Sequence, residues 1–101
     1  MNPEVLEVVT FTLKPGADEA KFLADNGAVE RFCKAQPGFI SRRLTRDADG
    51  GWIDVVEWTD MRAAEAAANA IGDAEGIGPC FAAIDMDTVV MRHLDIKVRH
   101  E

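Results

Sequence analysis

The order in which strand and helix patterns follow one another constrains the fold of this chain more than any other feature of its sequence. Residues 5–13, VLEVVTFTL, are rich in β-branched side chains and predict a strand. Residues 18–36 show a helical pattern that ends before Pro37. Within this pattern, Asn26 and Gly27 have low helix propensity. The first third of the chain is therefore predicted to form a strand and then a helix with a weak point.

The rest of the chain continues the alternation. Residues 39–46 and 52–58 predict two strands joined by a hairpin turn, because the intervening DADGG is rich in residues that tolerate positive φ. An alanine-rich helix is predicted over 61–71, since alanine is the best helix former. A short helix over 79–84 and a long strand over 86–98 complete the pattern.

Strand, helix, strand, strand, helix, strand is the order of the ferredoxin-like βαββαβ unit, an α+β fold. Such a unit places both helices on one face of a four-stranded antiparallel sheet. The length of 101 residues fits a single domain spanning 1–101. Val8, Ile53 and Val89 are among the residues that indicate apolar side chains on both sheet faces, and a soluble monomer rarely exposes such a face. The sequence therefore predicts that two copies pair sheet to sheet as a homodimer.

The charge balance bears on the class of partner. The formal net charge of −7 argues against nucleic acid, because phosphate binding needs clustered Lys and Arg. Arg42, Arg43 and Arg46 do cluster, but Asp47 and Asp49 follow at once, so we interpret the group as a solvated strand edge. The sequence shows no signal-peptide pattern and no apolar run of membrane-spanning length. We therefore expect a cytoplasmic protein with neither nucleic-acid nor membrane partners.

The two cysteines do not indicate a metal site. Cys33 and Cys80 lie 47 positions apart, and neither has a Cys or His at metal-ligand spacing. We expect both to be buried free thiols in a reducing compartment.

Three residues stand out as candidates for a binding site, and each also has a structural explanation. Asn26 lies on the apolar stripe of the first helix with Phe22, so its amide needs a hydrogen-bond partner, which is either a neighbouring group, a water or a substrate. Trp58 ends its strand beside a helix N-terminus and is either a core anchor or a pocket wall. His93, in the last strand, is either a general base or a dimer-contact or surface residue.

The carboxylates of the segment 50–60, GGWIDVVEWTD, do not form a paired-carboxylate site. Asp54 and Glu57 are three residues apart in a strand, so their side chains point to opposite faces. Glu57 is expected to pair with an arginine such as Arg43 across the hairpin, which would be a structural contact.

Three stretches together resemble a known family. They are EVVTFTLKPG at 7–16, QPGF at 36–39, and VVEWTD at 55–60 followed by the alanine-rich helix. The chain resembles the antibiotic-biosynthesis-monooxygenase-like domain of the dimeric α/β-barrel superfamily. The resemblance implies two ferredoxin-like units forming a dimeric barrel, with a pocket between the helices and the sheet of each subunit. It also implies a cofactor-independent monooxygenase that acts on a small aromatic or quinol-type molecule, with no cofactor.

The resemblance further implies roles for particular residues. Monooxygenases of this family use Asn, Trp and often Tyr and Arg to bind and polarise a phenolic substrate; Asn26, Trp58 and Arg92 match in type, and the chain has no Tyr. We expect His93 and Asn26 to act in catalysis, His93 as the base. The residues expected to bind the substrate are Trp58, Phe22, Met61 and Arg92.

Two other functions remain open. The absence of Tyr and of a catalytic cluster is also typical of a non-enzymatic dimer that binds a small ligand or a partner. Haem-degrading relatives carry a His on the second helix, but the alanine-rich helix has none, and the only histidines are His93 and His100. Haem binding is therefore the least favoured of the three.

Overall fold

The computed structural model describes residues 3–101, which form four strands and four α-helices. The strands are β1 (Val5–Leu13), β2 (Phe39–Arg46), β3 (Trp52–Trp58) and β4 (Ile84–Asp95). The helices are α1 (Glu19–Asp25), α2 (Gly27–Ala35), α3 (Met61–Ala70) and α4 (Ile77–Ala82). A short 3-10 turn, Ile71–Asp73, follows α3.

The four strands form one antiparallel sheet in the order β2-β3-β1-β4, so the ferredoxin-like α+β fold predicted from the sequence is confirmed. The register places Arg42, Val56, Glu7 and His93 in one row across the four strands. Because side chains alternate along a strand, this row shares the helix-covered face with the buried Val5, Phe11, Trp52 and Trp58. One row of the covered face is therefore mainly polar.

The first helical region divides where the sequence is weakest. A single helix over 18–36 was predicted, but α1 ends before Asn26 and α2 begins at Gly27. Asp18 caps α1 by accepting a hydrogen bond from the backbone N–H of Lys21 at 3.1 Å. The division places the Asn26 side chain in the interior, where it is buried.

The C-terminal elements differ from prediction at their boundaries. The short helix begins at Ile77 and not at Pro79, because Gly76 adopts a left-handed φ of 77° that sets the chain direction just before the helix. The final strand begins at Ile84 and ends at Asp95, earlier at both ends than the predicted 86–98.

Strand β4 contains a bulge. Between its pairings with Thr10 and Thr12 of β1, it runs from Val90 to Asp85, so it carries three more residues than β1 over that interval. Thr88 holds the bulge in place by accepting a hydrogen bond from the Thr12 backbone N–H at 2.9 Å. Residues 86–89 are consequently outside the ladder with β1.

The helices pack on one sheet face around two clusters of buried residues. The larger cluster joins β1, β3 and β4 to α1, α2 and α4, and the smaller one joins Trp58 and its neighbours to the alanines of α3. Within the larger cluster, Phe22 contacts Phe11 and Trp52 edge to face, with ring centroids 6.0 and 5.1 Å apart. Both cysteines are buried and unpaired, as the sequence predicted.

None of the helices formed by residues 3–101 covers the opposite face of the sheet. It carries Leu6, Val8, Val55 and Val90, of which Val90 is 55% exposed. No helix within residues 3–101 has the length and apolar character needed to cross a membrane.

The predicted pairing of Glu57 with Arg43 is wrong. Glu57 instead accepts a hydrogen bond from Arg99 at 2.7 Å, because the C-terminal segment returns to the same side of the sheet. Arg99 also binds Glu4 at 3.1 Å, so this cluster fastens the end of the chain to the start of β1.

Candidate active site

A cavity of about 250 Å³ lies between the helices and the covered face of the sheet. Its walls are mainly apolar and aromatic, and its polar lining groups come from three of the strands and from the junction between α1 and α2. The polar lining residues are Glu7, Asn26, Arg42 and Asp54. A small apolar cavity with a few convergent polar groups is the usual form of a small-molecule site.

Trp58 contributes an unusual donor to this cavity. Its side chain is 1% exposed and lines the cavity, and within residues 3–101 its indole N–H is the one buried side-chain polar group without a hydrogen-bond partner. An unsatisfied buried donor costs about 1–3 kcal/mol. The position therefore favours a ligand that supplies an acceptor oxygen.

Glu7 and His93 form a hydrogen-bonded pair on adjacent strands. Nε2 of His93 lies 2.6 Å from Oε2 of Glu7, and the two side chains are 17% and 10% exposed, respectively. Burial raises the pKa of Glu7 above its ordinary 4.5; His93 opposes this rise, and the nearby Asp54 carboxylate adds to it. The carboxylate that faces the cavity is thus held as a stronger base than a free glutamate.

A second charged group lies beside the first. The Arg42 guanidinium donates from Nε and Nη2 to both oxygens of Asp54, at 2.8–3.2 Å, and from Nη2 to Oδ1 of Asn26 at 2.8 Å. Asn26 also donates to the backbone carbonyl of Phe22 at 2.9 Å. These bonds satisfy the Asn26 oxygen and leave one of its two N–H donors for another group.

The two thiols at the cavity wall are weak acids. Burial raises the pKa of both Cys33 and Cys80 to about 11, so both are protonated at neutral pH. Within residues 3–101 no group of three or more His, Cys, Asp or Glu side chains is arranged to hold a metal ion.

The structure brings together four of the six residues named from the sequence. Asn26, Trp58 and Phe22 line the cavity, and His93 lies behind Glu7 on the same covered face. Their roles in binding and catalysis stay predictions. The alternatives for Asn26 and Trp58 are not exclusive, since both residues have structural contacts and also border the cavity.

Met61 and Arg92 lie away from the cavity. Met61 is partly buried and packs against the cluster that contains Trp58. Arg92 pairs with Val8 in the sheet, so it is on the face without helices, and it is exposed. If Arg92 binds a ligand, that ligand is not in this cavity.

Three cavity residues were missed by the sequence reasoning, namely Glu7, Arg42 and Asp54. The interpretation of Arg42 as part of a solvated strand edge is wrong, because its side chain is only 14% exposed and is paired with Asp54. Asp54 was considered only as a partner for Glu57. The sequence signal that could have identified the site was the presence of one carboxylate, Glu7 or Asp54, in each of two strands on the face that carries the largest aromatic residues.

Comparison with known proteins identifies the fold. No protein-family model and no curated protein match the chain. A variant of SnoaB, a cofactor-independent oxygenase from Streptomyces nogalater, is 23% identical, with 96% of both chains covered and a TM-score of 0.77. The ActVA-Orf6 monooxygenase of Streptomyces coelicolor, solved with the ligand Nanaomycin D, is 17% identical, with 98% of this chain and 92% of that chain covered and a TM-score of 0.73.

The same fold occurs in a conserved protein from Methanosarcina mazei Go1, at 11% identity, 94% coverage of both chains and a TM-score of 0.73. These likenesses extend over nearly the whole chain, and they confirm the predicted resemblance to antibiotic-biosynthesis-monooxygenase-like proteins at the level of fold. At such low identities they show the fold alone, and the same fold serves different functions.

Proposed function

We propose that this protein is a cofactor-independent monooxygenase acting on a small aromatic molecule with a phenol or quinol hydroxyl. The observation that carries the proposal is the unpartnered indole N–H of Trp58 in an otherwise apolar cavity. It provides a donor where an oxyanion on the ligand would develop, and a preorganised donor of this kind stabilises such charge strongly away from water. The SnoaB and ActVA-Orf6 structures, which share the fold, are described as an oxygenase and a monooxygenase.

The size of the cavity supports a substrate of one or two rings. A dry cavity of roughly 150 Å³ accommodates a benzene molecule, and the cavity here is about 250 Å³. The non-enzymatic alternative would be favoured by a pocket filled by Phe22, Met61 and Phe81. Phe22 and Phe81 form part of its wall without filling it.

The chemistry needs no cofactor because the substrate supplies the electrons. Deprotonation of a phenol gives an electron-rich anion that can reduce O₂ directly. One oxygen atom forms a new carbonyl on the ring and the other leaves as water, so that a phenol and O₂ give a quinone and water. The protein then has to exclude bulk water, orient the ring and accept one proton.

The residues divide between these tasks. Phe22 provides a flat wall, Trp58 donates to the substrate oxygen, and the free N–H of Asn26 is available to a second oxygen. The proton acceptor is at the end of the cavity where Glu7 and His93 meet.

Oxygen uptake with a panel of hydroquinones and naphthols tests the proposal, with quinone formation followed by absorbance. We expect one O₂ consumed per quinone formed, with no release of hydrogen peroxide, at a rate above that of autoxidation. Trp58→Phe should lower the rate by roughly 100-fold, because a donor to the developing oxyanion is lost. Trp52→Phe is the matched control: Trp52 is buried on the same strand and face but does not line the cavity.

Three outcomes separate the candidate functions. Absence of uptake with every compound, together with tight binding of some of them, would favour a non-enzymatic ligand-binding protein. A Soret band on titration with haem would favour the third candidate. An equal loss of rate in both tryptophan variants would mean that Trp58 acts only through stability.

We also propose that the protein is a homodimer in which the two uncovered sheet faces meet. The support is the apolar outer face, on which Val90 is 55% exposed in the isolated chain. Light scattering after size exclusion should give twice the chain mass of 11.0 kDa. Val90→Glu should give the mass of a single chain. The control Val98→Glu, in the exposed C-terminal segment, should leave the dimer intact. A wild-type protein that is monomeric at micromolar concentration would refute the pairing.

A further inference from the structure

The carboxylate of Glu7 meets the cavity more directly than the histidine behind it. Glu7 lines the cavity, and His93 does not. His93 occupies one carboxylate oxygen, Oε2, at 2.6 Å, whereas Oε1 receives no hydrogen bond from residues 3–101. One oxygen of Glu7 is thus held in place and the other is available to a ligand.

The groups around Glu7 suit a base that receives a proton inside a mainly apolar cavity. The titratable or charged groups on the elements packed against it are His93 from β4, Asp54 from β3, Arg42 from β2, Cys33 from α2 and Cys80 from α4. Arg42 and Asp54 neutralise each other, and the thiols stay protonated at neutral pH. The α3 residues on the cavity wall are alanines, so they add no charge.

The indole N–H of Trp58 provides a hydrogen-bond donor close to the Glu7 carboxylate. Trp58 pairs with Val5, two residues before Glu7 on the same face, and its indole N–H lies near enough to Glu7 to lower the pKa of that carboxyl slightly, although its geometry leaves the donor unsatisfied. A hydroxyl oxygen between these groups would face both a donor and an acceptor. The ligand would give its proton to one and receive a hydrogen bond from the other.

We infer that Glu7 is the catalytic base that takes the proton from the substrate hydroxyl, and that His93 is a positioning residue that holds the Glu7 carboxylate in place. This inference rests on the proposed function, and it assigns to Glu7 the role that the sequence suggested for His93.

The step balances within the cavity. The O–H bond of the substrate breaks, its electron pair stays on the substrate oxygen, and the proton goes to Oε1 of Glu7. Glu7 becomes a neutral carboxylic acid while the substrate becomes an anion, so the total charge in the cavity does not change. The second atom of O₂ leaves as water, which takes this proton back from Glu7 and a second one from the ring carbon that is oxygenated.

The test uses para-nitrophenol, a single-ring phenol that absorbs visible light when ionised and does not require O₂ chemistry. Binding is followed by quenching of tryptophan fluorescence and ionisation by the phenolate band, at a pH where the free probe is mostly protonated. We expect the wild-type protein to produce the phenolate band on binding. The Glu7→Gln variant should bind the probe without producing the phenolate band. Glu30 is an exposed carboxylate on α2, so Glu30→Gln should behave as wild type.

The role of His93 is tested by the pH at which the bound probe is half ionised, a quantity that a purely structural residue would not change. His93→Ala should shift the pH at which the bound probe is half ionised, while the band itself remains. In oxygen uptake, Glu7→Gln should lower kcat by roughly 100-fold or more with little change in KM, the loss expected for a general base. Circular dichroism confirms that each variant is folded before it is used.

The outcomes distinguish this inference from the proposed function. A phenolate band that persists in Glu7→Gln, or wild-type binding without ionisation, would overturn the role of Glu7 alone. Ionisation by the wild-type protein with no oxygen uptake for any phenol would support Glu7 as a base and contradict the monooxygenase. Failure of the wild-type protein to bind the probe would count against both.

Discussion

Removal of Arg42 should destabilise the protein far more than removal of a neighbouring surface arginine. The guanidinium makes three contacts of 2.8–3.2 Å with Asp54 and one of 2.8 Å with Asn26. Arg42→Met keeps most of the apolar stem but leaves the Asp54 carboxylate, which is 16% exposed, without its partner. Breaking a buried ion pair in this way costs roughly 3–5 kcal/mol.

We expect a loss near the lower end, about 3 kcal/mol, because the pair is not fully shielded from water. For a chain of this size the melting temperature should fall by roughly 12–24 °C. Urea unfolding followed by circular dichroism measures the free energy directly. The control is Arg46→Met. Arg46 is 46% exposed and pairs with Glu19 at the longer distance of 3.6 Å, and such an exposed pair contributes about 0–1 kcal/mol.

The double variant Arg42→Met, Asp54→Leu checks the cause of the loss. It removes both charges, so it should be more stable than Arg42→Met; a residual loss of about 1 kcal/mol is expected, because Oδ1 of the buried Asn26 still lacks its donor. A single Arg42→Met variant that costs less than about 1 kcal/mol would refute the reasoning, because it would mean that water solvates the Asp54 carboxylate adequately once Arg42 is gone.

Three further substitutions or reagents test the packing. Gly38→Ala should cost well over 1 kcal/mol in urea unfolding, because φ is 85° and the added Cβ would lie 2.6 Å from two side-chain atoms. Gly16 has a similar φ but open space around it, so Gly16→Ala should cost only about 1 kcal/mol. Cys33 and Cys80 should resist a thiol reagent at neutral pH and react on unfolding. The free energy of unfolding should fall as pH rises from about 9 to about 11, because in this range the thiols lose their protons in the unfolded chain but keep them in the folded protein. Phe22→Ala should cost roughly 3–5 kcal/mol, and a loss below 1 kcal/mol would contradict its place in the aromatic core.

The fold was predictable because its determinants are local. The β-branched residues of β1, the glycine-rich turn before β3 and the alanine-rich α3 each specify one element within a few positions. The errors fall where a non-local contact or a single backbone conformation decides a boundary. Gly76 moved the start of α4, and the bulge in β4 depends on a contact between Thr88 and Thr12 that no local pattern reveals.

The candidate site was predictable only in part. Trp58 and Asn26 were found because each departs from its local pattern, one as a strand-end aromatic and the other as an amide on an apolar stripe. Glu7, Arg42 and Asp54 were missed because their meaning depends on register between strands. A charged residue in a strand is unremarkable until the partner strands place an opposite charge beside it.

The bulge in β4 forms part of the cavity wall without belonging to the regular ladder. Met86 and Val89 of the bulge line the cavity, while the pairing of Glu7 with His93 lies farther along the same two strands. Since the ladder resumes on both sides of the bulge, residues could be inserted or deleted there without shifting that pairing. Changes of length in the bulge could therefore reshape this part of the cavity wall for molecules of different bulk while the Glu7–His93 pair keeps its place.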